Sequence, residues 1–186
     1  LEEYVNTLYE LRKAKGMTPE AAREALLSDR TTFGVMVLKT GGADGLVSGA
    51  CHSTANTLRP ALQILRTAPG AKLVSGFFIM DVPNCEFGYH GTFAFADCGL
   101  NQDPDCESLA AIANDTANTF KTLVGADPKV AFLSHSTMGS AKHACVDKVC
   151  NAVAIAHEQY PDLVCDGELQ LDAAIVPSVA ASKAPG

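Results

Sequence analysis

In the first fourteen residues, LEEYVNTLYELRKA, the apolar positions Leu1, Tyr4, Val5, Leu8 and Leu11 recur at three- and four-residue spacing. That spacing puts them on one face of a helix. Gly16 ends the run, and Thr18-Pro19 supplies an N-cap and a first-turn proline for a second helix through about Leu27. FGVMVLK (33–39) and DGLVS (44–48) are short apolar runs of strand length, the first broken by Gly41-Gly42. A helix is predicted from about Thr54 to Thr67, with Pro60 either kinking it or lying in its first turn, and Pro69-Gly70 closing it. KLVSGFFIM (72–80) and GTFAFAD (91–97) read as buried strands joined through Asn84 to His90. Asp103-Pro104 opens the next helix, striped by Leu109, Ile112, Ala113, Thr116, Phe120 and Leu123. KVAFL (129–133) is a further strand, Val146, Val149, Cys150 and Val153 mark a following helix, and LQLDAAIVP (169–177) gives a last strand. Helices and short, fully apolar strands alternate, which predicts an α/β fold with a largely parallel sheet flanked by helices. Ligands of such sheets bind beyond the carboxyl ends of the strands, where loops meet helix N-termini.

Composition narrows the setting. With 186 residues, 47% of them apolar and 6% aromatic, the chain fits one large domain or one and a half small ones with a compact interior. It begins within a helical pattern and stops at Lys183-Ala184-Pro185-Gly186, so both ends are expected to be cut from a longer protein. No apolar run approaches the ~18 residues of a membrane span, and no membrane association is expected. Seven cysteines, an odd number without a secretion signal, point to reduced thiols and a cytoplasmic location. Cys145 and Cys150 fall about 140° apart around a helix and cannot share a ligand face, so no metal is expected. A net charge of −7 argues against nucleic acid as a partner. Anionic small molecules remain open through local basic groups: Arg12, Lys13 and Lys15; Arg59 and Arg66; Lys142, His143 and Lys148. The alternative for each group is a solvated helix face.

The most chemical stretch is LSHSTMGSAKH (133–143), a strand-to-helix turn carrying hydroxyls, a glycine, two histidines and a lysine. Ser134, Ser136, Thr137 and Ser140 can donate to an anion, Gly139 permits close approach, and Lys142 adds charge. The same residues can equally serve only to cap the helix that follows. ACHSTANTLRP (50–60) repeats the arrangement, with Ser53 and Thr54 before a helix and Arg59 about a turn on. Arginine can hold a phosphate bidentately, and two such turns favour anion binding over capping alone. A serine nucleophile is disfavoured, since no Gly-x-Ser-x-Gly occurs, and Cys85 in VPNCEFG reads as a packed thiol before a nucleophile. Asp166, Glu168 and Asp172 of DGELQLD can bind magnesium or act as bases. The structural reading, in which they cap turns or pair with basic groups, is preferred.

Four long strings then carry a resemblance: ADGLVSGACHSTANTLRPALQILRTAPG (43–70), FADCGLNQDP (95–104), KVAFLSHSTMGSAKH (129–143) and DGELQLDAAIVPSVAASKAPG (166–186). Together they resemble the phosphate acetyltransferase (phosphotransacetylase) family over essentially the whole chain. The resemblance implies a two-domain α/β architecture like that of isocitrate and isopropylmalate dehydrogenases, incomplete here at both ends, and a homodimer. Residues 1–50 would then be the remnant of a first domain and 51–186 a central domain with the phosphate-binding turns. The implied reaction converts acetyl-CoA and orthophosphate to acetyl phosphate and CoA, reversibly, as part of acetate metabolism. In it an aspartate deprotonates the CoA thiol, which attacks acetyl phosphate directly in a ternary complex. That aspartate belongs to a carboxyl-terminal segment outside these residues. No cofactor is implied, CoA being a substrate. Family arginines map onto Arg59 and, with Lys13 as a competing match, onto Arg12; the site-proximal cysteine maps onto Cys85. Ser53-Thr54 and Ser136-Thr137, with Gly139 and Lys142, become candidates for the phosphoryl end. Two alternatives accompany this reading: a noncatalytic acetyl-CoA-sensing and assembly module like those fused to malic enzymes, and a transferase of butyryl or propionyl groups.

Overall fold

The computed structural model describes residues 1–185, and the chain divides into two compact units, Leu1–Pro69 and the residues from Gly70 onward. The boundary between these compact units falls at 69/70, because the helix after residue 53 buries Ile64 with Val5, Leu8, Ala22, Leu26, Val35 and Met36 in one core.

The regular elements of the first unit are all helices. α1 (Glu2–Arg12) runs into a 3-10 turn, Lys13–Lys15, that Gly16 ends at φ 83°. α2 (Pro19–Ser28) starts as its sequence predicts: the Thr18 hydroxyl accepts from Ala21 N and Pro19 opens the first turn. α3 (Arg30–Lys39) replaces the strand expected at 33–39. An all-apolar run has no periodicity to separate strand from helix, and its cap decides. Both carboxylate oxygens of Asp29 accept from the turn above, from Thr31 N at 3.1 Å and Thr32 N at 3.0 Å. Residues 44–48 are not a strand; the segment is exposed and unpaired in any sheet, with Leu46 lying over Gly34. α4 (Thr54–Ile64) holds Pro60 in its interior, where the ring is buried.

In the second unit β1 (Phe77–Asp81) and β2 (Thr92–Ala96) form an antiparallel pair, Phe77 facing Ala96 and Asp81 facing Thr92. Asp97, just past β2, fastens this pair to its flanks. One carboxylate oxygen accepts from Gly99 N (2.9 Å) and Leu100 N (2.8 Å), the other from Gly76 N (3.1 Å) and Asn101 Nδ2 (2.6 Å). Burial pushes its pKa up, but these four donors outweigh it and hold it at about 2. α5 (Cys106–Val124) is capped by Asp105, whose carboxylate accepts from Ser108 N at 2.8 Å. Asp103, the expected cap, instead pairs with Lys148 at 2.6 Å. β3 (Val130–Leu133), α6 (Ala144–Gln159) and β4 (Cys165–Leu169) follow, β3 and β4 pairing in parallel with Val130 facing Cys165. The chain continues as α7 (Leu171–Ile175) and α8 (Pro177–Lys183).

The α/β class therefore holds, with its strands in two two-stranded sheets, one antiparallel and one parallel, and not in one largely parallel sheet. The last strand lies at 165–169, before the run expected to form it at 169–177. Leu171–Ile175 is helical, and Asp166, Gly167 and Glu168, residues of low strand propensity, take the strand position because Glu168 and Leu169 are buried there. The second core, Ala110, Ala113, Phe132, Ala152, Val153 and Ala156, is mostly alanine. Small side chains bring two packed helices close together, so α5 and α6 lie tightly against each other and against β3.

Candidate functional site

The turn from β3 to α6 is closed on itself before any ligand is considered. Met138 (φ 45°) and Gly139 (φ 83°) both take left-handed backbone, and Ser140 N returns to Thr137 O at 3.1 Å. Two consecutive positive φ angles are what a mirror-image tight turn of the I′ kind requires. Glycine meets that demand freely; methionine does so at a cost. The ends of the turn are stitched to β4: Ser134 N donates to Leu169 O (2.9 Å) and Met138 N to Glu168 O (3.1 Å).

Inside the turn sits a carboxylate. Glu168 is 4% exposed. Its Oε1 accepts from Ser136 Oγ at 2.9 Å and from Gly139 N at 2.6 Å, and its Oε2 from Cys150 Sγ at 2.9 Å. Burial disfavours its charge, yet the donors from Cys150, Gly139 and Ser136 outweigh that and bring its pKa to about 2. The same contact raises the Cys150 thiol, the hydrogen bond to Glu168 being the largest cause. Ser136, fully buried, also accepts from Ala141 N at 3.0 Å. The Thr137 hydroxyl accepts from Gln170 N (2.9 Å) and donates to Gln170 Oε1 (3.3 Å). His143 caps α6 through its ring, Nδ1 accepting from Cys145 N at 3.1 Å. On the outside of the turn His135, Ser140, Lys142 and His143 are exposed, and Lys142 forms no ion pair among the described residues.

The other hydroxyl turn, in the first unit, has a plainer construction. Ser53 caps α4, its hydroxyl accepting from Asn56 N at 3.3 Å while Thr57 Oγ1 donates to Ser53 O at 3.1 Å. Ser53, Thr54 and Arg59 are exposed, and Arg59 forms no ion pair among the described residues. Arg12, at the end of α1, is half-buried, and its Nε is buried without a hydrogen-bond partner. Neighbouring Lys13 is exposed and paired with Glu10. Cys85 lies half-buried on the loop between β1 and β2, its thiol 4.0 Å from Phe87 O.

The structure thus gathers Ser136, Thr137 and Gly139 around Glu168 and Gln170, and sets Ser53, Thr54 and Arg59 along one helix start. Sequence reasoning singled out Glu168 but read its group of acids as turn caps or partners of basic residues. Asp172 does pair with Lys183, at 2.8 Å, and Asp166 accepts from Gly167 N at 2.8 Å. Glu168 pairs with no basic residue among the described residues and fastens not its own turn but the one after β3. The available signal was its place in a buried strand position of low propensity. No group of three or more histidine, cysteine and acidic residues able to hold a metal occurs among the described residues, nor any helix long and apolar enough to cross a membrane.

Comparison with known proteins covers the whole chain. The family model described as "Phosphate acetyl/butaryl transferase" matches residues 1–186. A phosphate acetyltransferase of Acetivibrio thermocellus is 61% identical over all of this chain and 56% of its own length, and that of Escherichia coli is 47% identical over 99% of this chain and 25% of its own. Among solved structures, a phosphotransacetylase from Staphylococcus aureus superposes with a TM-score of 0.84 at 46% identity, over 99% of this chain and 54% of that one. One from Streptococcus pyogenes gives 0.84 at 50% identity, over 98% and 54%. The chain spans about half the length, or less, of the relatives it matches. A match that runs from the first residue to the last, with the same backbone course, makes this chain a member of the phosphate acetyl/butyryl transferase family.

Proposed function

We propose that this chain takes part in acetyl transfer between CoA and orthophosphate, acetyl-CoA and phosphate giving acetyl phosphate and CoA. The observation that carries it is the 61% identity, end to end, with a protein named phosphate acetyltransferase. The family description also includes the butyryl reaction; the names of the curated relatives favour acetyl.

Both substrates are anions, so their approach is opposed unless positive groups lie between them. In the first unit Arg59, exposed and without a carboxylate partner among the described residues, and Arg12, with its unpartnered Nε, have charge and free donors for an anion; in the second unit Lys142, exposed and likewise unpaired, has the same. Ser53 and Thr54 add hydroxyls beside the N-terminus of α4, whose free N–H groups favour an anion. The turn of Ser136, Thr137 and Gly139 sets the frame that carries Lys142. The transfer is reversible, and in the direction that consumes acetyl phosphate, thiolate attack on the acetyl carbon forms the thioester C–S bond and breaks the C–O bond to phosphate, the thiol proton passing to a carboxylate base outside these residues. Orientation alone can remove several kcal/mol from the barrier. Phosphate is a good leaving group, so the proposed route uses no resident cofactor and no covalent enzyme intermediate, with Cys85 near the site but not attacking. We place the protein in the cytoplasm as a homodimer, on the family resemblance.

The test is release of CoA thiol from acetyl-CoA with phosphate as acceptor, measured on this 186-residue chain and on a chain of its relatives' full length. Transfer by the longer chain, weakened by Arg59→Ala through a higher KM, supports the reading. A longer chain that binds acetyl-CoA and never transfers overturns it in favour of the acetyl-CoA-sensing module.

A further inference from the structure

The 134–141 turn has the hydroxyls, backbone N–H groups and glycine of an anion cradle, but an anion of the protein's own already occupies it. Ser136 Oγ and Gly139 N converge on Glu168 Oε1 at 2.9 and 2.6 Å, with Cys150 Sγ at 2.9 Å from Oε2. Both Ser136 and Glu168 are shut off from solvent, at 0% and 4% exposure. A phosphate reaching Ser136 would have to displace that carboxylate or lie against it, and like charges so close repel strongly where water is excluded.

We propose that Glu168 is a positioning residue: its carboxylate fills the turn as a built-in anion, so Ser136 and Gly139 act on it and not on substrate. The substrate's phosphate then meets only the outer residues of the turn, Lys142 and His135. This rests on the acetyl-transfer reading above. It divides the hydroxyl-rich stretch into an inner set that holds shape and an outer set that makes contact. Thr137 belongs to the inner set, since its hydroxyl both accepts from and donates to Gln170. The fastening is cooperative: Ser136 Oγ donates to Glu168 while accepting from Ala141 N, so one lost hydroxyl breaks two of the bonds that hold the turn.

The experiment uses the enzyme at its relatives' full length, with Glu168→Gln, Ser136→Ala, the double variant and Lys142→Ala. Phosphate and acetyl-CoA kinetics are measured together with amide exchange at Gly139 and Ala141. Glu168→Gln and Ser136→Ala are each expected to lower kcat about tenfold and leave KM for phosphate within about twofold, since they shift the frame and remove no phosphate ligand. The double variant should lose less kcat than the product of the two single losses, because the two changes share the Ser136–Glu168 hydrogen bond. Lys142→Ala should raise KM for phosphate about tenfold and leave the Gly139 amide protected. A tenfold rise in KM for phosphate in Ser136→Ala, multiplying with Glu168→Gln, makes Ser136 a direct ligand and overturns the proposal. If Glu168→Gln does not fold, Ser136→Ala carries the same comparison alone. A Gly139 amide no more protected in wild type than in Ser136→Ala also overturns it. If wild type does not transfer acetyl at all, the functional reading fails, and the exchange data still decide whether Glu168 holds the turn.

Discussion

Asp97→Asn removes a charge from the point where four donors meet. The carboxylate gives two bonds from each oxygen: Gly99 N and Leu100 N on one, Gly76 N and Asn101 Nδ2 on the other. An asparagine keeps one acceptor oxygen and turns an N–H₂ toward the remaining pair of donors. Two charge-assisted bonds are lost, each of about 1.5–3 kcal/mol when made to a charged group. Solvent reaches this half-buried site and relieves part of the mismatch, so the expected loss is about 2 kcal/mol. The pH dependence supplies an independent figure. A folded pKa of about 2 against 3.8 is worth at most about 2.5 kcal/mol, reduced by screening to about 1–2 kcal/mol. Because the folded pKa is the lower one, this stability is fully present above pH 3.8 and disappears as pH falls through about 2. The two compact units give a global midpoint mixed character, so urea unfolding followed by circular dichroism is read beside amide exchange at Gly99 and Leu100. The variant should exchange faster at both amides at pH 7 and converge on wild type near pH 2. A loss below about 0.5 kcal/mol, the range of an ordinary surface change, or a loss equal at pH 7 and pH 2, would refute the assignment.

Gly139→Ala should cost about 1–2 kcal/mol in urea unfolding from its φ of 83° alone, since a Cβ there meets nothing within 4 Å; Gly139→Asn should cost less. Gly167→Ala acts differently, because its Cβ would lie 2.8 Å from Phe132 O across the β3–β4 pair, and a loss of about 3 kcal/mol, read as a lower melting temperature, is expected. Arg59→Ala should leave stability within about 0.5 kcal/mol, as exposed residues do, while raising KM for phosphate or acetyl phosphate about tenfold in the full-length enzyme; an unchanged KM would remove Arg59 from the site. Thr18→Ala deletes the cap of α2 and should cost about 1 kcal/mol by chemical denaturation of the first unit.

The elements legible in the sequence were those whose ends carry chemistry. Thr18-Pro19 marked α2, and the hydroxyls before α4 marked its start, with Ser53 as the cap. The apolar stripe of α5 and the KVAFL strand were also placed correctly, to within a residue or two. Runs without periodicity misled: 33–39 is apolar all round, and its helix was announced by Asp29, four residues ahead of the run. Strand β4 was hidden for the opposite reason, since Asp166, Gly167 and Glu168 look like a turn until a buried neighbour pairs with them. The hydroxyl turn was read as a candidate cradle for a substrate's phosphate. That the Glu168 carboxylate lies inside it could not be read locally, because the contact joins residues 32 apart in sequence.

The two strand pairings also set an order of events. β1 and β2 are joined through residues 82–91, β3 and β4 through 134–164 with all of α6 between them. Closing the longer connection costs about 1 kcal/mol more in chain entropy, at about 0.6 kcal/mol per doubling of length. The parallel pair also gains nothing until α6 has formed and its alanines have met α5. In refolding, then, amides of Phe78 and Met80 should be protected before those of Phe132 and Leu169, as pulsed exchange labelling would record. The Glu168 turn, which needs β3 and β4 in register before its carboxylate finds Ser136, would be the last part of this unit to lock, and the first to open under stress.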